Sequence, residues 1–480
     1  MRTVDAVRAL LMDAVELYRD RPPVATALRI QLTRLAEPVR IAVAGRSATG
    51  KSTLLNALLG ETLAPAVLSH LDKHFTWYRH GGEAKVTAVA GGGPAREMAA
   101  TRAAPGLRLS ATGSGPAWPD RVLVDWPSAG LRDRTLIDTP ALAGLGAPAD
   151  PVARRLPAEA DAVIYLARHP EPEQLAGLRV TEGSALARLT GVHAILVLAR
   201  ADEVAAGRID ALISARRLAR LSRRENAGCA PFQSVIAVSG QLAHAANALD
   251  DEDFATLTRL ASVSRANLER HLLSTDVFVA DGFPITLGRP ERRALLGRLG
   301  LFGVRLATTL VRTACDTRAK LAAELVRRSG LAELRAAIGT FFVDRGEVLK
   351  ARSALLLLES VLATERVDGA DRLAVRLEQV VASTHDFREL RLIAELSSGR
   401  LSLPDEVAAE ALRLLGASGT GVAERLGVPG TADADTIWPA VLDALDRWRH
   451  AAERLGADES ERAAARVVVR SCEGVVAAVG

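Results

Sequence analysis

The stretch AVAGRSATGKSTLLNALLG, residues 42–60, limits the fold more than any other part of this 480-residue chain. Gly45-x4-Gly50-Lys51-Ser52 matches the phosphate-loop pattern, with the apolar run VRIAVAG (39–45) reading as a buried strand before it and KSTLLNALLG as a helix after it. That strand–loop–helix context is what the motif requires. Its glycines let the backbone of Gly45, Arg46, Ser47, Ala48, Thr49 and Gly50 wrap phosphates with N–H groups, and the helix N-terminus adds a favourable dipole. Lys51 is expected to reach the β- and γ-phosphates and the Ser52 hydroxyl to ligate Mg2+, with Thr53 completing the contact set in the first helical turn.

Three further segments extend the site. In TLIDTPALAG, Asp138 ends an apolar strand, where a carboxylate holds Mg2+ through water in phosphate-loop enzymes; a strand-ending Asp in a plain turn is the alternative. In LVLARADEV, Asp202 follows another core strand, and a carboxylate there accepts from N1–H and N2–H of guanine, donors that adenine lacks. Arg200 stands where GTPases carry Lys, and its guanidinium can stack on a purine. The plain alternative for Asp202 is the N-cap of the helix that follows. In AVSG, Ser239 and Gly240 come after the last strand, where backbone contacts guanine O6. The order of these pieces on successive core strands favours GTP/GDP over ATP.

Around the site, apolar runs alternate with helical stretches between residues 39 and 250, as a doubly wound, mostly parallel α/β sheet requires. Strands are expected at FTWYRHG, AKVTAVA, GLRLSA, RVLVDWP, RTLIDTP, DAVIYLAR, VHAILVLARAD and FQSVIAVSG. Residues 1–38 read as two helices, and residues 251–480 as helices throughout. Phe341, Val348, Leu355 and Leu362 recur every seven residues beside Phe342, Leu349 and Leu356, the pattern of a bundle seam.

Composition removes several function classes. A net charge of +4 spread over this length does not make a nucleic-acid binder, even with a pI near 9.2. Cys229, Cys315 and Cys472 are far apart, which argues against a disulfide framework or thiolate zinc site and fits a reducing cytoplasm. Asp5, Asp13 and Glu16 interrupt any signal-peptide core, and no apolar run reaches the roughly 20 residues that span a bilayer, so membrane contact is expected at the surface. His70 and His74 flank Asp72 but read as part of a switch segment rather than a zinc pair. The basic helix ARRLARLSRREN and the heptad-spaced Arg298, Arg305 and Arg312 read as solvated helix faces, with an acidic membrane surface as the alternative. Trp438 is expected to pack into the bundle.

GKSTLLNALLG, the hairpin-rich insert before IDTP and the helical second half, together with TWYRHG, RADEVAAGRIDAL, LAAELVRRSGLAELR and STHDFRELR, resemble bacterial dynamin-like GTPases, most nearly the isoniazid-inducible ones of mycobacteria. The resemblance covers nearly the whole chain. It implies N-terminal neck helices at 1–38, a dynamin-type GTPase domain at 39–250, and a helical neck and trunk at 251–480. It also implies a peripheral protein at the inner face of the plasma membrane, pairing with itself or with a second dynamin-like protein on an anionic membrane and coupling GTP to membrane binding or remodelling.

Four positions depart from that family. Ser47 and Ala48 stand where dynamins carry a polar pair that orients the attacking water. Asp72 falls where a switch threonine is expected, with Ser69 and Thr76 as neighbouring substitutes, and a carboxylate there repels the γ-phosphate unless Mg2+ intervenes. Ala141 replaces the glycine after DTP. Turnover would rest on Lys51, Ser47 and Asp72, so binding is expected to be intact and hydrolysis weak or partner-dependent. The rival reading is a catalytically silent GTP-binding scaffold. An RNA-associated GTPase would need a compact basic module after the GTPase domain, and the second half has only long helices.

Overall fold

A computed structural model describes residues 3–64, 74–89, 95–103, 106–110, 120–142, 150–169, 193–225, 232–397, 399–453 and 458–479. Asp72, Ser69, His70 and Cys229 lie outside the described residues. The strands are β1 (Val39–Gly45), β2 (Phe75–His80), β3 (Lys85–Val89), β4 (Arg96–Ala103), β5 (Gly106–Ser110), β6 (Arg121–Trp126), β7 (Arg134–Asp138), β8 (Ala162–Ala167), β9 (Ala194–Ala199) and β10 (Ser234–Val238). Among the described residues they form one sheet in the order β10-β9-β8-β1-β7-β2-β6-β3-β4-β5.

From β10 to β7 every pairing is parallel. β8 and β9 are buried at every position, as strands covered on both faces must be. β2 then turns antiparallel to β7 while running parallel to β6, and β3, β4 and β5 complete an antiparallel edge. All nine expected strands, VRIAVAG and the eight that follow it, are present. The additional one, β4, has the sequence REMAATRA, whose small and charged residues carry no β-branched alternation beyond one Thr.

Helices cover both faces. On one, Ala42, Ala44, Tyr165, Leu196 and Leu198 pack with Leu257, Leu260, Leu295, Phe302, Leu306 and Leu325 from the Asp251–Ser262, Arg289–Thr313 and Arg318–Ser329 helices. Packing on the sheet therefore runs on well past residue 250. On the other face, Ile41, Val43, Ile164 and Val197 meet Leu54 and Leu55 of helix α3 (Lys51–Leu59), then Leu334, Ile338, Phe342 and Leu349.

The heptad seam is consequently divided. Phe342 and Leu349 pack on the sheet, whereas Leu355 and Leu358 pack on α1 (Thr3–Leu17), with a π-helical turn at Gly339–Val343 ahead of the Gly346–Thr364 helix. α1 presents Val7, Leu10, Leu11 and Ala14, all buried, to Leu355, Leu373, Leu377 and Phe387, so the N-terminal helix shares one core with helices between residues 346 and 397. The prolines at 22 and 23 start α2 (Pro22–Arg34), at positions where a missing N–H costs nothing. A last cluster joins Leu392, Leu414, Val441, Trp448, Val468 and Cys472, with Trp438 half-buried against it.

The heptad-spaced Arg298, Arg305 and Arg312 of the Arg289–Thr313 helix are each engaged with the protein rather than only with solvent. Arg305 donates to the carbonyls of Gly207 and Leu272, both at 2.8 Å, and pairs with Glu269 at 3.0 Å. Arg312 donates to the carbonyls of Ala261 at 2.8 Å and Val263 at 2.7 Å, and Arg298 pairs with Asp253. They staple loops to the helix because a guanidinium offers five donors in a fixed fork. By length and composition this is the one described helix able to cross a membrane, yet half of it is buried and Gly300 breaks it at φ 66° and ψ 172°.

Where the N-terminal helices meet the sheet, buried Asp161 accepts from Arg34 at 2.9 Å and from the Arg40 amide at 3.0 Å. Arg352, also buried, lies within its field, and burial lowers that guanidinium to about 10.

Candidate functional site

β1 lies between β7 and β8, so its C-terminal end opens where the strand order reverses, the position at which open α/β sheets bind ligands. The phosphate loop begins there. Gly45 has φ +153°, and a Cβ on it would stand 2.6 Å from the Leu166 carbonyl oxygen, so only glycine fits. Gly50, at φ +95°, starts α3. Between them, Thr49 is buried and its hydroxyl donates to the Arg46 carbonyl at 2.9 Å, fixing the loop, while Arg46, Ser47 and Ala48 are exposed.

Lys51 Nζ donates to the carbonyls of Gly45 and Arg46, each at 3.2 Å, which places the ammonium over the loop's concave side. Ser52 Oγ donates to Asp138 Oδ2 at 2.9 Å. Asp138 is brought there by the register of β7 on β1, which sets it opposite Val43. The segment after it closes back on the loop: Thr139 Oγ1 donates to the Val43 carbonyl at 3.1 Å and the Leu142 amide to the Gly45 carbonyl at 3.1 Å. Ala141 is exposed at this turn. Thr76 is a buried β2 residue in register with Asp138, so it belongs to the sheet rather than to a switch loop.

Arg200, after β9, donates through Nη2 to the Ala48 carbonyl and through Nη1 to Glu203. Asp202 lines a cavity of about 450 Å3 together with Thr49, Gly50, Thr53, Arg200 and Gly240. The next long helix begins only at Ala211, beyond a short 3-10 turn at Val204–Gly207, so Asp202 is not its cap. Ser239 does not line the cavity. Its hydroxyl accepts from the Leu242 amide at 3.2 Å as an N-cap, and its own amide donates to the Ser329 carbonyl at 2.9 Å.

The cavity therefore joins the phosphate loop, Arg200, Asp202 and Gly240, and Ser52 with Asp138 stand beside it. Sequence reasoning missed Thr62, Gln241, His244, Gly297 and Arg298, which line the same cavity. Gln241, His244 and Ala245 follow Gly240 at helical spacing, a signal readable once the strand before them is placed. Burial depresses the His244 imidazole below its ordinary value, keeping it neutral beside Thr62, 3.3 Å away. Gly297 and Arg298 come from the helical half, and no motif announces them.

The isoniazid-induced protein IniC of Mycobacterium tuberculosis, in strains CDC 1551 / Oshkosh and ATCC 25618 / H37Rv, is 37% identical to this chain over 489 residues, covering 99% of the chain and 99% of the relative. No protein-family model matches the chain. Two solved chains, described as an oligomerised bacterial dynamin pair that provides a mechanism for long-range sensing and tethering of membranes, align with 86% and 99% of this chain and 77% and 74% of their own. Their identities are 13% and 14% and their TM-scores 0.30 and 0.31.

Proposed function

The chain belongs to the family of the isoniazid-induced protein IniC, and from that premise we propose that it is a dynamin-type GTP-binding protein. In this reading, nucleotide-dependent pairing of its heads, with a second copy or with another dynamin-like protein, drives binding or remodelling of an anionic membrane. It acts as a peripheral protein at the inner face of the plasma membrane.

The observation that carries the nucleotide part is the 2.9 Å contact between Ser52 and Asp138 beside a lysine turned over the phosphate loop. A hydroxyl and a carboxylate are hard oxygen donors of the kind Mg2+ takes, so Ser52 and Asp138 would hold the ion, which would supply charge neutralisation for the phosphates when bound. Lys51 and the loop amides of Gly45 to Thr53 bind the phosphate end. Asp202 accepts from the guanine edge, Arg200 supports that loop, and Gly240 backs the base.

Hydrolysis is slow or waits for a partner. Ser47 and Ala48 are exposed at the loop tip and Ala48 has no polar side chain to orient water, which also favours the alternative of a silent scaffold paired with an active protein. The deciding experiment is phosphate release from GTP and ATP by the full chain, with and without anionic liposomes, with Lys51→Ala as blank. GTP-selective release that rises with lipid supports the enzyme. Lys51-dependent GTP binding without release supports the scaffold, and no Lys51-dependent binding of either nucleotide ends both readings.

A further inference from the structure

The cavity beside the phosphate loop is closed on its far side by a helix that none of the nucleotide motifs includes. Gly297 and Arg298 of the Arg289–Thr313 helix line the cavity with Thr53 and Asp202. Gln241 Nε2 donates to the Gly297 carbonyl at 3.4 Å, and a Cβ on Gly300 would stand 3.4 Å from the same amide, so the helix is seated against the Gly240–Asn247 helix where its own kink falls.

Arg298 is the charged group this helix brings to the cavity. Its side chain is 45% exposed and pairs with Asp253, which is 4% exposed and whose carboxyl is raised by burial against the lowering effect of Arg298. A carboxylate occupies at most about two of the five guanidinium N–H donors, which leaves a planar cation held in place with donors to spare. Such a group can stack on a purine face or donate to base and ribose oxygens. A volume of about 450 Å3 lies within the range of pockets that enclose a nucleotide-sized ligand.

We propose that Arg298, positioned by Asp253, binds the nucleoside end of the guanine nucleotide, so that the Arg289–Thr313 helix is part of the nucleotide site. The proposal rests on the GTP-binding reading above. Its consequence is direct: the helix that touches the nucleoside is the same one whose Arg305 and Arg312 staple the loops at 207, 261–263 and 272. Occupancy is thus felt in the helical half through that helix.

The test uses the full chain with fluorescent GDP as probe and inorganic tripolyphosphate as a competitor that lacks the nucleoside. Arg298→Ala should weaken GDP by about tenfold or more while tripolyphosphate competes as before. Because that change strands a buried carboxylate, Asp253→Asn with Arg298→Ala is measured beside it and should show the same nucleoside-specific loss. A Cβ at Gly297 meets no atom within 4 Å, so Gly297→Trp is expected to fold and to weaken GDP by intruding on the cavity. In the wild type, GDP but not tripolyphosphate should slow amide exchange at residues 289–300. GDP affinity within about twofold of wild type in these variants, or equal losses for GDP and tripolyphosphate, overturns the proposal. Absence of Lys51-dependent GDP binding in the wild type removes the nucleotide reading itself, and this assignment with it.

Discussion

Arg200 Nη2 donates to the Ala48 carbonyl oxygen at 3.0 Å, so the loop after β9 is tied to the tip of the phosphate loop by a single side chain. Both residues hold left-handed backbone, φ 55° and 57°, which costs non-glycine residues about 1–2 kcal/mol each. The fork also reaches Glu203 at 2.6 Å, a span that a lysine ammonium, a single point of donation, does not reproduce. Arg200→Ala should weaken fluorescent GDP by about tenfold and Arg200→Lys should recover only part of that. Arg200→Gly should melt above Arg200→Ala, because glycine relieves the positive φ. A lysine variant indistinguishable from wild type would show that the fork is dispensable.

The two glycines of the loop should fail differently. Gly45→Ala drives a Cβ into the Leu166 carbonyl oxygen at 2.6 Å, with backbone that cannot yield without shifting β8, so little soluble protein is expected. Gly50→Ala meets nothing within 4 Å, and its penalty is the backbone conformation alone, about 1–2 kcal/mol. That variant should be soluble, with a melting temperature lowered by a few degrees. Equal behaviour of the two in thermal melts would contradict the close approach of β1 to β8.

Asp138→Asn preserves an acceptor for the Ser52 hydroxyl but removes the charge that a divalent cation needs. The wild type should bind GTP more tightly in Mg2+ than in EDTA by about tenfold or more. In Asp138→Asn that difference should close while the fold, followed by far-ultraviolet circular dichroism, stays the same. A persistent Mg2+ effect would place the ion on other ligands.

Acid should loosen the C-terminal helices first. Burial alone would raise the Glu389 carboxyl, but hydrogen bonds from His385 and Arg425 outweigh it and hold the group at about 2, below its ordinary value of 4.5. A carboxylate depressed on folding stabilises the fold fully above its unfolded pKa, and that contribution is lost as pH falls from about 4.5 through about 2. The shift corresponds to about 3 kcal/mol. Glu389→Gln should therefore lower the urea midpoint at pH 7 and flatten its fall between pH 5 and pH 3. An unchanged acid limb would mean that another carboxylate governs it.

Much of the head was legible because its signals are local. Gly45 and Gly50 are imposed by backbone conformation, and β8 and β9 read as apolar runs because both their faces are covered. What was hidden depends on tertiary placement. REMAATRA becomes β4 only because β3 and β5 stand beside it to accept its backbone hydrogen bonds. Arg298, Arg305 and Arg312 resemble a solvated stripe in sequence, and nothing local reveals that carbonyls and a buried Asp253 await them. The heptad at Phe341 to Leu362 was periodic as read, yet one end meets the sheet and the other meets α1, a division that periodicity cannot express. The Ser239 hydroxyl caps the Gly240–Asn247 helix, a role that the short sequence AVSG does not separate from a loop whose backbone contacts a base.

The shared core of α1 and the second half has a consequence for synthesis. Tyr18 reaches the Glu365 carbonyl at 2.7 Å, and Asp13 pairs with Arg376 across 363 positions of chain. At about 5–20 residues per second a ribosome needs very roughly 20–70 s to deliver those partners. Through that interval α1 leaves the exit tunnel with Val7, Leu10 and Leu11 not yet covered by the Gly346–Thr364 helix. The first helices made are then among the last to be fully buried, and the nascent chain carries an exposed apolar face until the Gly346–Thr364 helix emerges.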